Sequence, residues 1–253
     1  MRSPIRFLLL SASTAGLLLI SLAGCPTRPQ GPEAPSEAKV GVVPPPPGSP
    51  QAPRHEGRPF DVASRESLLT ILAFRGGTLA KVGHNHVIAS HDVTGTFYVP
   101  DDVSHSTFEL RIPVVQLAID EPELRAKEGP DFPTDVPDSA KEGTRRNMLS
   151  EALLNGTQYP DITLVSQHID VTAGGSQVRA DVQVTVRGQT HTVSVPVVYS
   201  LVNGDLTASG ELPLKQSDLG LTPFSALLGA LAVQDEMHVR FRLVARAATT
   251  NPN

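Results

Sequence analysis

Residues 177–187 alternate without a break. Val178, Ala180, Val182, Val184 and Val186 are apolar, and Arg179, Asp181, Gln183, Thr185 and Arg187 stand between them. Successive side chains of a strand point to opposite faces, so a period of two gives one dry face and one wet face. A helix would scatter the same valines around its circumference. The stretch is therefore read as a half-buried strand. Gly188-Gln189 follows, a two-residue turn with glycine at the first central position. The return strand sets Val193, Val195, Val197 and Tyr199 on one face, with His191 at the same parity beside the turn. Met237, Val239, Phe241 and Leu243 repeat the pattern, as do Phe108, Leu110 and Ile112. Leu206, Ala208, Leu212 and Leu214 suggest another strand. Dry-faced strands without crossover helices between them predict an antiparallel barrel or sandwich, a mainly β fold.

Two short helices are expected to interrupt the strands. The first covers residues 139–154, capped by Asp138 or Ser139 and ended near Asn155-Gly156, with Pro160 beyond. Met148, Ala152 and Leu153 would lie on the barrel. The second covers residues 222–231, with Thr222 as cap and Pro223 in the first turn. Phe224, Leu227, Leu228 and Leu231 form its apolar stripe. A short apolar helix suits the open end of a barrel of about eight strands. There Phe224 and Leu228 would meet a ligand; plain surface packing is the equal alternative.

The N-terminus reads as a targeting segment. Arg2 and Arg6 precede an apolar run from Phe7 to Ile20, too short and too early for a membrane span. Leu22-Ala23-Gly24-Cys25 resembles the lipobox of bacterial lipoproteins. That resemblance implies cleavage before Cys25, a thioether diacylglycerol on its sulfur, and acylation of the new amino group, palmitate being the expected chain. Cys25 is the single cysteine, so no intramolecular disulfide forms. Two or more acyl chains anchor stably where one is marginal. Residues 26–58 carry the run Pro44-Pro45-Pro46-Pro47 among other prolines and almost no large apolar residues. Such a segment is an extended tether rather than a core, and His55 within it is expected to be solvated. The expected organisation is a signal peptide at 1–24, a lipidated Cys25 and linker to 58, a β domain at 59–248 and a tail at 249–253. Pro26 after Cys25 is no acidic retention signal, which directs the expectation to the outer membrane, facing the periplasm. The net charge of −5 comes without a block of Lys and Arg, so nucleic acid is not an expected partner.

The ordered pieces of the β domain resemble the YceI-like, polyisoprenoid-binding family. They are Phe60-Asp61; His84 or His86 followed by Val93-Thr94-Gly95-Thr96-Phe97; a helix running into Tyr159-Pro160-Asp161-Ile162-Thr163-Leu164; Val184-Thr185-Val186-Arg187-Gly188; and Lys215-Gln216-Ser217-Asp218-Leu219-Gly220. The resemblance covers roughly residues 60–247. It implies a lipocalin-like antiparallel barrel, export to the periplasm and, as in some members, a long isoprenoid chain held in the barrel. A barrel of eight strands is either filled by its own side chains or hollow enough for a small ligand. With no tryptophan in the chain, the wall would be aliphatic, suited to an isoprenoid or acyl chain. Val184 and Val195 are expected in that wall, against the ligand. The chain departs from the family pattern in its doubled histidine, Gly83-His84-Asn85-His86, and in an acidic excursion over residues 121–138.

Three of the eight histidines, His84, His86 and His91, fall in one short stretch. His84 and His86, two apart, share a face of a strand and can chelate one zinc, copper or nickel ion. His91 has the opposite parity. No G-x-S-x-G elbow supplies a nucleophile, and His-Asn-His lacks the basic surface a nuclease needs. The chain is thus read as a binding module and not an enzyme, without a cofactor. His84, His86 and His91 are expected at the barrel mouth, against a lipid head group or as a structural turn. The metal reading with His84 and His86 is the alternative.

Overall fold

The computed structural model describes residues 55–172 and 175–248. The expected signal peptide, Cys25, nearly all of the tether and the tail at 249–253 lie outside the described residues. The strands are β1 (Arg58–Val62), β2 (Leu68–Gly76), β3 (His86–Ser90), β4 (Thr94–Val99), β5 (Thr107–Pro113) and β6 (Ala118–Ile119). Helices α1 (Pro122–Arg125) and α2 (Asp138–Leu149) follow. The chain then runs through β7 (Asp161–Val171), β8 (Gln177–Val186), β9 (Gln189–Val202), β10 (Asp205–Lys215), β11 (Ser225–Ala226) and β12 (Leu231–Ala247).

All ladders are antiparallel, and eight strands close on themselves in the order β1, β4, β5, β7, β8, β9, β10, β12 and back to β1. Closure depends on β12. One edge of it pairs with β10 from Glu236 to Arg246, and the other is shared. Its first part takes β2, and its end takes β1 through Phe60↔Ala247, Asp61↔Arg246 and Val62↔Ala245. Between the two the ladder would break. Ala63 and Ser67, the latter 3% exposed, fill that gap: Ala63 N donates to Val244 O at 2.8 Å, and Ser67 Oγ accepts from Val244 N at 3.0 Å and donates to Ala63 O at 3.0 Å. A buried backbone pair without partners is costly, so the Ala63 N–H and the Ser67 hydroxyl together carry the shared edge across the join. Beyond β2, the strands β3 and β6 extend the sheet away from the ring.

The expected alternation is observed. In the β8–β9 ladder Val178 faces Val197, Ala180 faces Val195 and Val182 faces Val193. The turn lies one residue earlier than expected. Its central residues are Arg187 and Gly188, both at positive φ (50° and 71°). Positive φ at both positions is the type I′ form, whose twist matches that of the flanking strands. Asn203-Gly204 joins β9 to β10 with the same signs.

Helix α2 is shorter than expected. It stops at Leu149, so Ala152 falls outside it and is exposed, while Met148 and Leu154 are buried. The helix expected at residues 222–231 does not form. The segment is a hairpin, with Ser225↔Ala232 and Ala226↔Leu231 paired and Leu227 and Leu228 at φ 51° and 56°. So short a segment gains little from helix formation, and strand β12 offers its backbone a ladder instead. His55 is not solvated: its ring stacks on Tyr98 at 4.0 Å, and its Nδ1 lies 3.0 Å from Thr107 Oγ1.

Gly95 sits at φ +131° opposite Leu110, where an added Cβ would lie 2.1 Å from the Glu109 carbonyl oxygen. We expect Gly95→Ala to cost at least about 1–3 kcal/mol, the usual range for a backbone conformation reserved for glycine. Urea unfolding of the full chain measures this. A loss below about 0.5 kcal/mol, the range of neutral surface changes, would mean that β4 does not need this conformation.

Candidate functional site

Two separate places in the fold have unusual chemistry. The first is the barrel interior. The inward parity of β8 and β9 brings Val178, Ala180, Val182 and Val184 against Val193, Val195 and Val197. Leu212 and Leu214 of β10 and Met237, Val239 and Phe241 of β12 continue the wall. These side chains do not fill the ring. They leave a cavity of about 220 Å³ with no charged residue in its lining. Three lining residues carry hydroxyls. Thr107 is engaged by His55, and the Tyr199 hydroxyl donates to Gly175 O at 2.7 Å. Ser106 Oγ is buried without a hydrogen-bond partner among the described residues. An apolar cavity of this kind stays dry. Its volume exceeds the roughly 150 Å³ that takes one benzene ring and falls below the roughly 300–1,000 Å³ of most ligand pockets. It accepts a slender apolar segment as it stands, and a long chain only if the wall side chains move apart.

The expected site residues are thereby sorted. Val184 and Val195 line the cavity. Phe224 and Leu228 do not, because the hairpin replaces the helix that would have carried them inward. Leu228 is fully exposed at the hairpin tip, with a relative exposure of 108%. His84, His86 and His91 are also absent from the lining. His191 faces Val184 across the ladder beyond the cavity wall, with Nε2 buried and without a hydrogen-bond partner among the described residues. His105, His168 and His238 pair with Asp102, Asp170 and Glu236 at the surface.

The second place is built around the doubled histidine. Strand β2 is dry on both faces: Leu69 and Ile71 line the barrel, and Leu72 joins Val87, Ala89, Leu124 and Phe132 in a separate apolar cluster. The acidic excursion supplies Leu124 and Phe132, and Glu128 fixes it to β12 through a two-pronged pair with Arg240 at 2.9 and 3.0 Å. At its root lies Asp120, directly after β6, with 0% exposure and φ 55°. Its Oδ1 accepts from Val87 N at 2.9 Å and from Arg125 Nη1, the latter at 0% exposure too. Its Oδ2 accepts from His86 Nδ1 at 2.8 Å and lies 3.6 Å from His84 Nε2. The two imidazoles meet edge to face, 4.5 Å apart. Arg125 also donates to Asn85 O and Pro133 O, both at 2.6 Å, so one guanidinium binds the GHNH stretch to the excursion. Asn85 is no turn residue here. It is buried, accepts from Arg75 N at 3.0 Å and donates to Asp131 O at 3.3 Å.

Electrostatics follow from this packing. Burial alone would push the Asp120 carboxyl up. Hydrogen bonds from His86 and Val87 N, with attraction to His86 and Arg125, outweigh that and hold it below the ordinary carboxylate value. His84 moves down, first because burial disfavours its charged form and then because His86 is close; the attraction of Asp120 only partly offsets this. His91 stands apart, half-exposed, with Nε2 2.8 Å from Glu121 Oε2. The sequence reading named His84 and His86 but neither Asp120, one residue before the acidic excursion, nor Arg125 within it.

Comparison with known proteins agrees with the barrel. The family model described as YceI-like domain matches residues 72–245. The Burkholderia cenocepacia BcnA crystal structure superposes with a TM-score of 0.52 at 19% identity, covering 73% of this chain and 99% of that one. A polyisoprenoid binding domain from Saccharophagus degradans, implicated in plant cell wall breakdown, gives 0.49 at 13% identity, covering 75% and 98%. A Campylobacter jejuni YCEI protein gives 0.44 at 11%, covering 62% and 82%. No curated protein matches the chain.

The buried Asp120–Arg125 pair sets a stability prediction. Removing one partner of a buried pair strands the other charge and costs about 3–5 kcal/mol. Asp120→Ala should lower the unfolding free energy of the full chain by that amount in urea titrations. A change under about 1 kcal/mol would mean that Arg125 finds water or another acceptor, and that the pair is not buried as described.

Proposed function

The chain belongs to the YceI-like domain family, whose pattern spans residues 72–245, and from that premise we propose that it binds one lipophilic molecule, an isoprenoid or acyl chain, inside the barrel. The observation that carries the proposal is the lining of the cavity. Apolar side chains, mostly aliphatic with Phe97, Phe108, Tyr199 and Phe241 among them, surround a space that no side chain fills and no charge enters. Every methylene moved from water into such a space gains about 0.8 kcal/mol, and Ser106 Oγ is the one unpartnered polar side-chain atom of the wall among the described residues. The valines and leucines of the wall make room by rotamer changes, as a chain longer than the resting cavity requires. Val184 and Val195, in mid-wall on adjacent strands, touch the bound chain. The role that follows is that of a carrier, store or scavenger.

In this proposal the module works at a membrane. Cys25 is processed and acylated, the proline-rich segment to residue 54 gives reach, and the barrel faces the periplasm from the outer membrane. The lipobox-like Leu22-Ala23-Gly24-Cys25 supports this part. Two or more acyl chains hold a protein stably where a single chain does not.

Two measurements check the proposal. Val195→Phe narrows the cavity while keeping the wall apolar. With the full chain in lipid nanodiscs and a polyene fatty acid as fluorescent probe, we expect binding to weaken by at least about 5-fold, since overfilling a packed interior costs about 1–3 kcal/mol. The outward-facing change Thr192→Phe should leave binding as it was. Equal probe binding in both variants would place the lipid elsewhere. For anchoring, Cys25→Ser should move the protein out of the carbonate-washed membrane fraction and block its normal processing. A variant that stays with the membranes and is processed normally would contradict the lipoprotein reading.

A further inference from the structure

We propose that His84, His86 and Asp120 form a binding site for one transition-metal ion, of the zinc, nickel or copper(II) type, on the outside of the barrel wall. The site is separate from the cavity and independent of what the cavity holds. One donor atom from each of the three residues falls within 4.8 Å of the others. His84 Nε2 is buried without a hydrogen-bond partner among the described residues, although it lies 3.6 Å from Asp120 Oδ2. A buried ring nitrogen left without a partner is costly in a purely structural cluster and is explained by a lone pair aimed at an ion.

The surroundings suit a metal ligand set. Asp120 is held from both sides of Oδ1, by Val87 N and Arg125 Nη1, which leaves Oδ2 turned to the two imidazoles. Outer-shell hydrogen bonds of this kind orient metal ligands. The left-handed backbone of Asp120, at φ 55°, is a conformation kept where the surroundings require it. Burial keeps His84 on its neutral side, the form that ligates. His84 retains 27% of its side-chain exposure, so an ion reaches the site from solvent, while Asp120 is closed off. On binding, the ion replaces the proton shared by His86 Nδ1 and Asp120 Oδ2, and that proton moves to Nε2 of the same ring. Two imidazole nitrogens and one carboxylate oxygen favour borderline ions. Calcium and magnesium, which call for six or more oxygen ligands, are disfavoured. Three protein donors leave one position for water or an exogenous ligand. Arg125 beside the carboxylate adds positive charge, which favours an anionic ligand there.

The test uses the full chain, stripped with a chelator and titrated calorimetrically with zinc chloride and with nickel chloride, with bound metal counted by plasma mass spectrometry. We expect one ion per chain in the wild type. His84→Gln and His86→Gln should each weaken binding by at least about 100-fold, the upper end of what loss of an outer-shell partner alone costs. His168→Gln, at an exposed pair with Asp170, should bind as the wild type does. Saturable binding that survives both His84→Gln and His86→Gln, or no one-to-one binding in the wild type, would overturn the proposal and leave the cluster a structural pin. Should both variants fail to fold, the cobalt(II) spectrum of the wild type decides. Intense visible bands of a four- or five-coordinate ion support the site, and the weak spectrum of the hydrated ion overturns it.

Discussion

The rest of the molecule depends on the backbone hydrogen bonds that β12 makes along both of its edges. An open sheet presents a row of unpaired N–H and C=O groups, and closing the ring removes that edge. Here closure is achieved by one 17-residue strand shared between β10 on one side and β1 with β2 on the other. The join between β1 and β2 falls at Val244, where Ala63 N donates to its carbonyl and Ser67 Oγ accepts from its N–H. Once the ring is closed, strand parity decides what lies inside. The inner set consists largely of valines and leucines with Ala180 and Ala208, too small in sum to meet at the axis. The cavity is thus a consequence of side-chain size on a ring of fixed circumference.

The same shared edge produces the second site. Because β12 gives its first part to β2, the sheet continues outward through β3 and β6. Leu72 and Val87 then need a cover on their outer side. The acidic excursion supplies it with Leu124 and Phe132, held by Arg125 and by the Glu128–Arg240 pair. Asp120 is where the excursion leaves the sheet, and it becomes the shared acceptor for His86, Val87 N and Arg125. A dry chamber inside and a polar cluster outside are two results of one topological choice.

Much of this was legible in the sequence because it is local. Period-two alternation placed β8, β9 and the end of β12, and with them Val184 and Val195, on the inner face. The turn after β8 was read one residue late, since Gly188 fits either central position and only the twist of the strands selects Arg187-Gly188. The stripe Phe224, Leu227, Leu228, Leu231 has helical spacing, but pairing with β12 overrides it, an event no local pattern records. The histidine cluster was half legible. His84 and His86 stand out by their own spacing, whereas Asp120 reaches His86 across 34 positions of sequence. Asp120 looks like one acid among many until the fold buries it. Arg125 is likewise an ordinary basic residue until its surroundings close over it.

The central claim is that the barrel holds a lipophilic molecule, and native mass spectrometry of the full-length protein purified gently from its host tests it most directly. The account predicts a species heavier than the denatured chain from the same preparation by one apolar molecule, whose added mass is lost after extraction with organic solvent. A native mass equal to that of the denatured chain in every charge state, before and after extraction, would contradict it.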